Sequence, residues 1–144
     1  QAVRWHQQIH YQDTLSKLRL RLDIETWRRV SPQEITFTER WKFIELNSLE
    51  QIIHESTSYK HCLALSYTER IAEGEYVAFH MSSLADEDIH LTLGCYFKFE
   101  QLHFDQLRLP NNEHASQDVV QDAKRFIQQV NQHLIWDFKA RKVE

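Results

Sequence analysis

Apolar and polar residues alternate over 18–27, where Leu18, Leu20, Leu22 and Ile24 are interleaved with Arg19, Arg21, Asp23 and Glu25. Successive side chains of an extended chain point to opposite faces, so this stretch predicts a half-buried strand. A second alternation covers 34–46: Ile35, Phe37, Trp41 and Phe43 share one parity, and the β-branched Thr36 and Thr38 suit a strand. Ser31-Pro32-Gln33-Glu34 also fits a helix start, but the alternation continues past it and favours one strand. Over 89–99, Ile89, Leu91, Leu93, Cys95, Phe97 and Phe99 face one way, and His90, Thr92, Gly94, Tyr96 and Lys98 the other. A turn at Glu100-Gln101 would set Lys98 opposite His103 and Tyr96 opposite Asp105, although neither turn residue readily takes positive φ. The apolar parity changes between Phe104 and Leu107, which predicts a bulge near Asp105-Gln106.

Helical spacing replaces alternation elsewhere. Over 47–59, Leu49, Ile52 and Ile53 form an apolar stripe behind a cap at Asn47 or Ser48. Over 116–138, Val119, Val120, Ala123, Phe126, Ile127, Val130, Leu134 and Phe138 form a broader one. Residues 2–18 fit a short N-terminal helix. Residues 61–83 fit a hairpin that turns at Glu73-Gly74, with a return strand through Tyr76 and Met81. Together these elements predict a single α+β domain over 1–144. Its mostly antiparallel sheet of about five or six strands would have one buried face, packed against a long C-terminal helix and a shorter middle helix. Gln1, in place of Met, is compatible with excision from a longer chain.

Composition narrows the function classes. Two glycines are too few for a glycine-rich phosphate loop. The formal net charge of −4 disfavours general nucleic-acid binding. No apolar run approaches 18 residues, so no membrane span is expected; the expected location is cytoplasmic. Cys62 and Cys95 form no CxxC pair and read as free thiols. No metal or other cofactor is expected: His80, His90, His103 and Asp105 lack a ligand spacing, and the acids at 86–88 lack the glycine that a calcium loop uses.

Three kinds of site remain. His103 and Asp105 form a candidate acid–base pair, with His90 a further candidate that could meet His80 across strands. His90 and Cys95 fall on opposite faces, which excludes a Cys-His dyad in a regular strand. Arg19 and Arg21 share the polar face of the first strand and could hold a small anionic ligand, extended by Arg28, Arg29, Arg40 or Lys42. Trp5 and Trp136, near the chain ends, are candidate interface anchors, while Trp41 reads as core and Trp27 falls on the polar parity. The favoured function is a non-catalytic interaction or regulatory domain that docks a protein partner or a second copy through its terminal helices and exposed aromatics. An anion-binding domain and a small hydrolase-like enzyme are the alternatives.

Overall fold

The computed structural model describes residues 13, 16, 17, 25–59, 70, 71 and 73–134. Trp5, Arg19, Arg21, Cys62 and Trp136 lie outside the described residues, as do positions 18–24 of the strand expected over 18–27 and the first arm of the hairpin expected over 61–83.

The described chain builds a six-stranded sheet in simple sequence order, every neighbouring pair antiparallel. The strands are β1 (Ile35–Phe37), β2 (Trp41–Glu45), β3 (Tyr76–Ser83), β4 (His90–Lys98), β5 (Gln101–Leu109) and β6 (Glu113–His114). Helix α1 (Leu49–Tyr59) follows β2, and α2 (Gln117–Asn131) follows β6. This is the α+β domain expected from the pattern.

Alpha2 places Ala123, Phe126, Ile127 and Val130 on the odd-numbered face of the central strands, among Phe43, Val77, Phe79, Leu91, Leu93 and Cys95. Phe126 stacks on Phe43 at 3.7 Å between ring centroids and meets Phe79 edge-on at 5.0 Å. Burying such a ring contributes about 1.5–3 kcal/mol. Asn131 fastens the end of α2 to the sheet: its amide donates to the Leu102 carbonyl at 2.9 Å and accepts from the Leu102 N–H at 2.8 Å.

The expectation of one buried face is corrected, because α1 covers the opposite side. Leu49, Ile52 and Ile53 pack there with Trp27, Leu46, Ile71, Tyr76 and Ala78. Trp27, expected on a polar face, is fully buried against α1, with its backbone N–H donating to the Asn47 carbonyl at 3.1 Å and Thr26 bridging Ser48 beside it. Small residues make the second layer possible, since Ala78 and Gly94 pair across β3 and β4 beneath it. Alpha1 begins at a reciprocal cap, in which Ser48 Oγ accepts from the Gln51 N–H at 3.1 Å and Gln51 Oε1 accepts from the Asn47 N–H at 2.8 Å.

The single strand expected over 34–46 is a hairpin. Thr38 N–H donates to the Trp41 carbonyl at 2.8 Å, closing a two-residue loop at Glu39-Arg40. Such a loop inverts parity. Ile35 therefore pairs with Ile44 and Phe37 with Lys42, so Ile35 and Phe37 are exposed while Trp41 and Phe43 enter the core. The β4–β5 turn sits one residue earlier than expected, at Phe99-Glu100, and pairs Lys98 with Gln101 and Tyr96 with His103. The bulge is found where the parity change placed it: Gln106 pairs with Gly94 and Phe104 with Cys95, leaving Asp105 unopposed.

Candidate functional site

The even-numbered positions of β3 and β4 face α1, and that face carries a cluster of interacting polar side chains. His80 pairs with Thr92 and Ser82 with His90 across the two strands. Glu55 interrupts the apolar stripe of α1, three residues after Ile52, and points its carboxylate down onto the pair; it is only 4% exposed. His80 Nδ1 lies 2.8 Å from Glu55 Oε2 and 3.0 Å from Oε1. Thr92 Oγ1 donates to Glu55 Oε2 at 2.6 Å. A buried carboxylate is tolerated when its lone pairs are used in this way.

His80 passes the contact outward, its Nε2 lying 3.1 Å from His90 Nδ1. An ionised Glu55 carboxylate only accepts, and His80 Nδ1 is then the donor of this contact. In a neutral His80 the Nε2 is then an acceptor and takes the His90 Nδ1–H, which leaves the lone pair of His90 on Nε2. Tyr59, one turn after Glu55, roofs both imidazoles, with ring centroids 5.4 Å from His80 and 5.5 Å from His90. Burial, and then the nearby Glu55 charge, raise the Tyr59 phenol above its ordinary range, so the roof is neutral. The three acid–base groups are strung in a line rather than around a point, and no metal-binding group of three or more His, Cys, Asp or Glu occurs among the described residues.

His103 and Asp105 are not brought together. His103 Nε2 bonds the Lys98 carbonyl at 3.0 Å, and its ring stacks on Tyr96 at 5.0 Å. Asp105, set apart by the bulge, accepts from the Tyr76 hydroxyl at 2.7 Å, and that hydroxyl accepts from Gln106 Nε2 at 3.2 Å. Burial, then the bond to Asp105, push the Tyr76 phenol far above its usual range. Cys95 lies in the core beneath α2, away from His90 as strand parity required, and burial pushes its thiol up. Glu55 and Tyr59 were not identified from sequence. The available signal was a carboxylate in register with Leu49, Ile52 and Ser56 on the buried stripe.

Two further surfaces bear on function. A groove of about 590 Å³ on the α2 side is lined by Thr38, Arg40, Trp41, Gln121, Asp122 and Arg125 among others. Asp122 accepts there from Trp41 Nε1 at 2.8 Å, from Arg125 at 2.8 Å and from Arg40. Burial alone would raise the Asp122 carboxyl, but the bonds from Arg40 and Trp41 and the two guanidinium charges outweigh it and hold it below the usual range. The second surface is the β4–β5 tip. Phe99 is 82% exposed at φ 55°, followed by Glu100 at φ 64°. Compared with protein-family models, with curated proteins and with solved structures, the chain matches none.

Proposed function

We propose that this domain is a protein-interaction module that docks through exposed aromatic side chains, with Phe99 as the anchor. The observation that supports the reading is the combination of two costs at one residue. A bulky side chain in the left-handed region carries about 1–2 kcal/mol of strain, in a turn type that favours Asn-Gly. The ring also stands in solvent at the far end of the hairpin, beside the Lys98 ammonium at 5.1 Å. Neither cost benefits the isolated fold, and both are offset when an apolar socket on a partner protein, or on a second copy, receives the ring. Phe37, 62% exposed on the edge strand β1, offers a second aromatic. A cytoplasmic setting accords with this reading, and no described helix is long and apolar enough to cross a membrane.

Photo-crosslinking tests the proposal. The substitution Phe99→p-benzoylphenylalanine, irradiated in cells, should give one discrete adduct. The same group at Glu87, in the loop at the opposite end of β4, serves as control. No adduct from position 99, or the same adduct from both positions, would sink the reading.

A further inference from the structure

The Glu55–His80–His90 line ends in a ring nitrogen with nothing to do within the fold. His90 is half-buried, its Nδ1 is committed to His80, and its Nε2 makes no hydrogen bond among the described residues. The rest of the line is arranged to receive a proton there. A proton taken up on Nε2 lets the Nδ1 proton cross to His80 Nε2, on the ring whose Nδ1 meets the Glu55 carboxylate at 2.8 Å. Thr92 holds that carboxylate in place, and Tyr59 excludes water from one face of both rings. A histidine serving only as a strut does not need a buried carboxylate behind a second histidine.

The surroundings narrow what His90 could act on. Lys42, Ser82 and His90 lie in one cross-strand row over β2, β3 and β4. At about 4.8 Å per strand, Lys42 stands roughly 10 Å from His90. Ser82 between them is small and half-buried, so the floor of the row is low. A short molecule with an anionic group at one end and an electrophilic carbonyl at the other spans that row.

We propose that His90 is the general base of a hydrolytic site for small anionic acyl esters, with His80 and Glu55 as positioning residues and Lys42 as the anion contact. In the reaction, His90 Nε2 removes a proton from a water molecule whose oxygen bonds to the acyl carbon. The alkoxide or phenolate leaves with the electron pair of the broken C–O bond. The proton held by the His90–His80 pair is then returned to the departing oxygen or to solvent. Ester and water become acid and alcohol, and no other reactant is needed.

The test uses the whole chain with mono-4-nitrophenyl glutarate as the anionic ester and 4-nitrophenyl acetate as the neutral one. His90→Gln should lower kcat/KM on the glutarate ester by about 10²-fold, in the range of general-base contributions, while His54→Gln at an exposed site leaves it unchanged. Glu55→Gln should lower kcat with KM unchanged, and Glu55→Asp should restore part of it. Lys42→Gln should raise KM for the glutarate ester alone. Diethyl pyrocarbonate labelling of the unaltered chain supplies a measurement independent of any variant: His90 should be carbethoxylated faster than the exposed His54. Equal ester turnover by the native chain and folded His90→Gln overturns the proposal, as does labelling of His90 no faster than His54.

Discussion

Replacing Gly94 by alanine tests the packing logic of the α1-facing layer most directly. A β-carbon at position 94 would lie 2.1 Å from the Tyr76 hydroxyl oxygen and 2.9 Å from Tyr76 Cζ, well inside van der Waals contact. Gly94 therefore serves a close approach: the Tyr76 ring crosses over its backbone to reach Asp105. Tyr76 cannot yield cheaply, because its side chain is fully buried and its hydroxyl is held at 2.7 Å by Asp105 and at 3.2 Å by Gln106. Dislodging the ring forfeits most of its packing, about 3–5 kcal/mol by comparison with truncation of a large core aromatic. Tyr76→Phe alone should cost about 1–3 kcal/mol, since the Asp105 carboxylate loses its donor. It also removes the worst contact of an added methyl group, so the double variant should fall short of additivity by at least about 1 kcal/mol. Urea unfolding followed by tryptophan fluorescence and far-UV circular dichroism measures all three. A Gly94→Ala protein within about 1 kcal/mol of the native chain, or strict additivity in the cycle, would refute the argument.

Two further outcomes follow from features away from that layer. Phe99→Asn with Glu100→Gly puts a preferred pair into the left-handed β4–β5 turn and should raise stability by about 1–2 kcal/mol while abolishing docking; a lower unfolding midpoint would show that the tip is not strained. The Asp122 carboxyl is held below its ordinary range by its partners, so its stabilisation is present above the unfolded value of about 3.9 and is lost as pH falls through the folded value. Asp122→Asn should therefore flatten the acid side of a urea-midpoint profile below about pH 5, and an unchanged slope would count against the Arg40–Asp122–Trp41 network.

What the pattern revealed, and what it missed, follows from how local each signal is. Beta4 shows clear alternation, and the apolar shift from Phe104 to Leu107 marked the bulge because a core face tolerates no slip in parity. The break at Glu39-Arg40 carried no glycine or proline, so nothing local distinguished two short strands from one long one. The second covered face was missed because Ala78 and Gly94 read as weak strand residues, whereas they are the space α1 needs. His80 and His90 were foreseeable neighbours, being ten residues apart on strands joined by a short loop, but Glu55 reaches them from another element and only tertiary packing reveals it. The His103–Asp105 pair depended on an uninterrupted strand, and the bulge at Asp105 separates the two.

The strict order of the sheet, β1 through β6 each beside its predecessor, has a consequence for how the molecule is made. Each new strand finds its template already present, so the sheet can grow in the direction of synthesis as the chain leaves the ribosome. Alpha1 is made before β3 and β4, so its carboxylate is available when the two histidines arrive. The face beneath α2 is different, because its cover is synthesised after all six strands. Until Phe126 docks, Phe43 and Phe79 stand uncovered, and this late interval is when the nascent chain is most open to aggregation or to a chaperone.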